Sequence, residues 1–371
     1  MRPGLFFGIA TTLLLSLAMP AAGAEQARLR LIGEQRIPHR LVFDGTVVGG
    51  LSGIDYDSRS NTWVMASDDR SEFSPARFYR ARLDYDAAQF RAVKLEAVHL
   101  FRQTDDSTYL AQGGEVADIE AVRVDPTDGS IWYASEGSGK LGLSPFVRQA
   151  AADGSYRATL PMPELFRDDP AHQRGPRDNL SFEGLSFAQD GRSLWLGMEA
   201  PLYQDGPAAT PEHGAVSRFT QLDRSGKVLA QYAYPVDRVQ GVPAARRFGD
   251  NGVSEILVLD TLHLLALERS GVQDAAGHFV FHIRLYIVEL DGATDIVGYP
   301  SLAGADYHPL RKRLILNFDS AGLEKVDNLE GMSWGPLLPN GHRSLVLVSD
   351  DNFSDDEVTQ LLAFELLPAS D

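Results

Sequence analysis

Five times along the chain a small or acidic lead-in opens an alternating apolar strand, a Gly/Asn/Asp turn follows, and a second apolar strand runs to an acidic end. The copies are Leu51–Asp57 with Thr62–Asp69, Ile119–Asp125 with Ile131–Glu136, Phe182–Phe187 with Leu194–Glu199, Val253–Asp260 with Leu264–Glu268, and Leu329–Trp334 with Leu345–Asp351. Anchored on Gly53, Ala121, Gly184, Glu255 and Gly331, they recur at 68, 63, 71 and 76 residues. That is too regular for chance and too loose for a solenoid of short units.

A second hairpin follows most copies. The candidates are Phe78–Asp84 with Phe90–His99, Phe146–Ala150 with Tyr156–Leu160, Arg218–Leu222 with Val228–Tyr234, and Arg284–Glu289 with Asp295–Tyr299. Asp-Gly or Ser-Gly pairs beginning at 153, 190, 225 and 291 supply turns that accept positive φ. Two hairpins per unit make four antiparallel strands, and a four-stranded unit at this period is the signature of a β-propeller, an all-β ring of blades around a channel. A two-sheet sandwich of similar strands predicts no such period. Leu29–Ile37 and Gln360–Leu366 are expected to pair in one blade and close the ring, removing a free sheet edge. Five units are visible, and Leu314–Asp319 is a weak candidate for part of a sixth.

Residues 1–24 read as an export signal: Arg2, an apolar stretch from Leu5 to Met19, and the small-x-small site Ala22-Gly23-Ala24. The stretch is shorter than a membrane span needs, so the mature chain is expected to be residues 25–371, one propeller domain, periplasmic or secreted, with no transmembrane segment. The chain has no cysteine, so packing, ring closure or bound ions must stabilise it. A net charge of −17 argues against a surface that tracks nucleic-acid phosphates. The expected partner is a small anionic ester, and the expected state is monomeric.

Acidic residues recur at matching places in the units. Glu120, Glu183, Glu255 and Glu330 lead into the first strand, with Asp55 near that place in the first copy. Asp68 and Asp69, Glu136, Glu199, Glu268, and Asp350 and Asp351 end the second strand. A propeller brings equivalent positions round one axis, so these carboxylates should converge at the channel. Crowded carboxylates resist ionisation unless cations or hydrogen-bond donors accompany them. Many hard oxygen ligands without thiols favour Ca²⁺, which takes 6 to 8 oxygens at about 2.3–2.6 Å. The other use for such side chains is to cap turns and accept from neighbouring backbone amides.

The candidate metal ligands are Asp69, Glu120, Glu183, Glu255, Glu330 and Asp351. Glu120 and Glu183 are also candidate catalytic groups. Arg70 and Arg77, just beyond the acidic end of the first copy, are candidates to stabilise charge on a substrate oxyanion. No H-E-x-x-H helix or thiol suggests nucleophilic catalysis.

Leu51–Asp57, Ser67-Asp-Asp-Arg-Ser71, Asp118-Ile-Glu-Ala-Val122, Phe182-Glu-Gly-Leu185, Leu257–Asp260 with Ala266–Arg269, Asn328-Leu-Glu-Gly-Met332 and Val348–Ser354, taken in order, resemble the phytase-like domain family, also described as esterase-like activity of phytase. The resemblance runs from about Gly33 to Leu366. It implies an exported propeller similar to the calcium-dependent β-propeller phytases, which have six blades and hold Ca²⁺ and phosphate at the channel mouth. It also implies hydrolysis of phosphate or related esters. Fold alone does not fix chemistry, and a non-catalytic propeller that binds a ligand or partner, with structural calcium, is the competing reading.

Overall fold

The structure, a computed structural model, describes residues 28–111 and 114–367, so the export signal expected over residues 1–24 lies outside the described residues. The inner strand and its hairpin partner in each repeat are buried on both faces, Ile119–Val124 and Ile131–Ser135 without exception. The outermost strands, such as Phe90–Leu100, alternate between exposed and half-buried positions. This gradient follows from packing sheets face to face around an axis, because only the outer strands reach solvent.

Five four-stranded antiparallel sheets form a β-propeller. From the axis outward the first blade runs Leu51–Asp57, Thr62–Ser67, Arg77–Tyr85 and Phe90–Leu100. The second runs Ile119–Val124, Ile131–Ser135, Phe146–Ala150 and Tyr156–Thr159, and the third Phe182–Phe187, Ser193–Met198, Ala215–Asp223 and Val228–Val236. The fourth runs Gly249–Val258, His263–Gln273, Phe279–Glu289 and Arg311–Asn317, and the fifth Asn328–Trp334, Arg343–Asp350, Thr359–Leu367 and Arg28–Ile37. Each inner strand touches the next, and the fifth touches the first. No sixth four-stranded sheet is present among the described residues, whereas the family resemblance implies six blades.

Ring closure is as expected: Leu29 pairs with Leu366 and Arg36 with Gln360, so the start of the described chain supplies the outer strand of the last blade. The glycines after Asp153, Asp190, Ser225 and Asp291 all have positive φ. Two expectations fail, both in the fourth blade. Asp295–Tyr299 is not a strand, because Ile296 instead donates to Gln231 O and packs with Ala233 and Leu302 against the third blade. Leu314–Asp319 is not part of a sixth blade, because Arg311–Asn317 is the outer strand of the fourth.

Hydrophobic clusters fill the gaps between blades. One joins Phe281, Ile283 and Leu285 of the fourth to Leu345, Leu347 and Phe364 of the fifth, and four similar ones complete the circle. Inner strands approach one another so closely at the axis that a Cβ on Gly331 would lie 2.7 Å from Ser52 O, and one on Gly53 2.9 Å from Val122 N. Small residues are required there for steric reasons.

Arg123 bridges the axis itself. Its guanidinium donates to Ile54 O, Val122 O, Glu255 Oε2 (2.6 Å) and Met332 O, so it ties the first, second, fourth and fifth blades together. Asp55 lies close enough to feel its charge and accepts from Val124 N and Ser333 Oγ.

Candidate functional site

Every inner strand carries the same irregularity. The pairing with its hairpin partner slips between Leu51 and Gly53, Ile119 and Ala121, Phe182 and Gly184, Val253 and Glu255, and Leu329 and Gly331. The extra residue of each β-bulge is therefore Ser52, Glu120, Glu183, Ser254 or Glu330. A bulge re-aims the side chain it inserts. Ser52 and Ser254 use theirs to bond the next blade, donating to Ile119 O and Leu329 O, while the three glutamates line one cavity.

A second ring stands at one level of the hairpin partners: Asp68, Glu136 and Glu199 just past their strands, Asp350 at the end of its strand, and Arg269 within the longer strand His263–Gln273. Asp350 pairs with Asn328 and Arg269 with Gly252, the residues just before the inner strands' common core, and Asp68, Glu136 and Glu199 donate their amides to Gly50, Asp118 and Ser181 at the same level. All five line the cavity, whose volume is about 640 Å³.

Three groups of carboxylates, Asp68 with Glu120 and Glu330, Asp118 with Glu120 and Glu136, and Glu136 with Glu183 and Glu199, each bring one oxygen per residue within 4.8 Å of the others. Two cations face them. Arg70 pairs with Asp118 (2.6 Å) and also donates to Asn179 Oδ1. Arg269 pairs with Glu199 (2.9 Å) and approaches Glu330 (3.6 Å).

Eight carboxylates against two guanidiniums leave strong repulsion in a buried place. Burial first, then one another's charge, pushes Asp68, Glu120, Glu136, Glu183 and Asp350 well above the ordinary carboxylate range. Burial raises Asp118 against the pull of Arg70. It lifts Glu199 to about 8 and Glu330 to about 6 against the pull of Arg269. Glu183 Oε2, Glu330 Oε2 and Asn328 Oδ1 are buried acceptors with no hydrogen-bond partner. Unsatisfied acceptors of this kind call for an explanation, and an all-oxygen donor set with free lone pairs suits a hard divalent cation.

Of the residues singled out from the sequence, the structure brings together Glu120, Glu183, Glu330 and Arg70. Glu255 is not with them. It follows the bulge serine by one residue, and a one-residue slip turns a side chain to the other face. It accepts instead from Arg123, Leu185 N and Ile256 N. Glu268 is likewise one residue out of phase; Arg269 holds its place in the ring, and Glu268 bonds Tyr234, Lys312 and Asn251.

Asp69 edges the cavity, but its carboxylate is filled by the amides of Glu72, Phe73 and Ser74 and by Arg77. Arg77 is fully buried and spends its donors on Asp69, Tyr79 and the carbonyls of Ser74 and Val47, so it faces no cavity. Asp351 accepts from Gly50 N and Phe353 N, and His39 Nδ1 lies 3.4 Å from its other oxygen.

A closed ring of five blades with a blind, carboxylate-lined mouth is the class of protein that fold and site define. Residues 46–353 match the family described as Phytase-like: esterase-like activity of phytase, and the chain belongs to that family. No curated protein matches it. Among solved structures it is similar to a thermostable family-43 glycoside hydrolase, with 10% identity, TM-score 0.45, and 87% of this chain and 91% of that one covered. It is also similar to MPT-4, a mannose phosphorylase from Leishmania mexicana in complex with phosphate ion, with 11% identity, TM-score 0.42, and coverage of 91% and 88%. A glucose dehydrogenase shows 10% identity, TM-score 0.38, and coverage of 92% and 99%. Likenesses at this level carry no chemistry.

Proposed function

We propose that the protein is an exported, calcium-dependent hydrolase of phosphate or related esters, acting as a monomer at the acidic mouth of the channel. The observation that supports this is the set of buried, unpartnered oxygens on Glu183, Glu330 and Asn328 inside a ring of carboxylates that cannot all ionise unaided. Glu120, Glu183, Glu330, Asp68, Glu136 and Asp350 would hold Ca²⁺. Bound calcium supplies positive charge for the substrate's oxyanion and makes water more acidic.

The remaining work falls to this chain's own groups. Arg70, held by Asp118 and partly exposed, still has guanidinium N–H groups to donate to an ester oxygen entering the mouth. Glu183 would hold the cation through one carboxylate oxygen and can take the proton of an attacking water with the other. Arg123 and Glu255 bridge the axis away from solvent and leave the cavity blind. No transmembrane candidate occurs among the described residues' helices, which is compatible with an exported chain.

A second reading, a binding propeller with structural calcium, is favoured by one observation: both cations of the mouth are already paired with carboxylates. Purified protein assayed on phosphomonoester, phosphodiester and carboxylester substrates, with calcium or with chelator, separates the two. Calcium-dependent turnover that Glu183→Gln abolishes supports the hydrolase. A calcium-raised Tm with no turnover on any substrate refutes it and leaves the binding propeller. Glu255→Gln serves as control: it weakens the fold but leaves the calcium-induced rise in Tm intact.

A further inference from the structure

The mouth of the channel has aromatic walls as well as an acidic floor. On one side Phe73 and Phe353 stack with centroids 4.4 Å apart. On the other, Phe248 meets Phe279 edge to face at 6.3 Å, and Phe279 stacks on Phe281 at 5.8 Å. All five rings line the same cavity as the carboxylates. Phe73, Phe248 and Phe279 are 46%, 53% and 38% exposed, among the large apolar side chains most open to solvent.

The first wall is held in place by the chain around it. Phe353 adopts φ 49° directly after Asn352 at φ 44°, a conformation that is uncommon for a bulky residue and costs on the order of 1–3 kcal/mol. Asp351 accepts the Phe353 amide, and Gly49 and Gly50 leave room where a Cβ would come within 2.7 and 2.8 Å of the ring. Asp69 folds the facing loop by accepting from the amides on either side of Phe73 as well as from its own. Asp69 and Asp351, which supply no ring ligand, thus build the aromatic wall.

The cation supply points the same way. No lysine or histidine lines the cavity among the described residues, and its two arginines are both paired with carboxylates. Any anionic group of a substrate that is not seated on a bound cation would meet carboxylates.

We infer that the site takes an ester with one anionic group and an aromatic or comparably apolar organic group, the anion directed to the carboxylate-held cation and the apolar part lodged between Phe73 and Phe248. This rests on the reading of the mouth as a cation-dependent ester site.

The test is equilibrium binding to the calcium-loaded full chain of methylphosphonate, benzylphosphonate and inositol hexakisphosphate. The two phosphonates have C–P bonds that ester hydrolysis leaves intact. Benzylphosphonate should bind at least about tenfold tighter than methylphosphonate, the gain expected from covering one ring, and inositol hexakisphosphate should bind more weakly than benzylphosphonate. Phe248→Ala and Phe73→Ala, both at exposed positions, should reduce the benzyl preference to within about twofold while methylphosphonate affinity and the calcium-induced Tm shift stay put.

Equal binding of the two phosphonates by the unaltered protein, tightest binding of the hexakisphosphate, or binding of none overturns the inference. Turnover of generic phosphate esters without the benzyl preference leaves the hydrolase standing and sinks this inference. The benzyl preference without turnover of any ester does the reverse.

Discussion

If the mouth holds calcium as proposed, chelation should turn a stable protein into one whose stability depends steeply on pH. Glu199 is raised from 4.5 to about 8 and Glu330 from 4.5 to about 6, each first by burial. A carboxyl raised in this way holds its proton more tightly in the folded chain than in the unfolded one. Its contribution is fully present below about pH 4.5 and is lost as pH rises through the folded value. At 1.36 kcal/mol per pKa unit, Glu199 accounts for a loss of about 5 kcal/mol by pH 8, and Glu330 for about 2 kcal/mol by pH 6. Against a typical total of about 5–15 kcal/mol, the chelated protein should stand close to unfolding at pH 8.

Calcium acts in the opposite direction, because its ligands must be deprotonated and its hold tightens as pH rises. The assay is urea unfolding followed by tryptophan fluorescence at pH 5, 6, 7 and 8, with calcium and with chelator. Chelated protein should lose several kcal/mol across the series, the calcium form should stay nearly level, and Glu199→Gln should reduce the slope without abolishing it, since the neighbouring carboxylates are raised as well. Chelated protein equally stable at pH 5 and pH 8, or equal slopes in both buffers, would refute the reasoning.

Two further outcomes test the frame that carries the site. Arg123→Met leaves Glu255 as a buried charge without its 2.6 Å partner and strands carbonyls on two other blades, so it should cost about 3–5 kcal/mol in urea unfolding; a loss under about 1 kcal/mol would mean that the axial bridge is idle. Gly331→Val drives a Cβ to 2.7 Å from Ser52 O and should cost about 1–3 kcal/mol or more, whereas Gly298→Ala, which meets nothing within 4 Å, should stay within about 0.5 kcal/mol.

The period of the repeat made the propeller legible, and the need to close the ring made Leu29–Ile37 and Gln360–Leu366 legible as a pair, with the register set only by the structure. The outer strand of the fourth blade was harder to see. Arg311–Asn317 is exposed or half-buried throughout, and an outermost strand has only one neighbour to impose an apolar pattern. The more apolar Asp295–Tyr299 looked better as a strand, but only its Ile296 is buried, and that against the third blade.

At the site the difficulty was phase. Composition shows that acids recur, but a β-bulge decides which of two adjacent residues faces the axis, and backbone pairing reveals the bulge where a single sequence does not. Where bulge glutamates precede a small residue, as in Glu120-Ala121, Glu183-Gly184 and Glu330-Gly331, the small residue marks the phase, since it sits where the inner strands nearly touch. In the fourth blade that place is filled by Glu255, and matching acid to acid shifts the frame by one. The same shift conceals Arg269 behind Glu268. Read in the correct phase, the fourth blade shares a bulge serine with the first and departs from all the others in the second ring, where arginine stands in place of a carboxylate. It therefore gives the ring its one built-in cation and, beside it, the Phe248–Phe279 wall, so the blade that breaks the acidic repeat is the one that makes the mouth asymmetric.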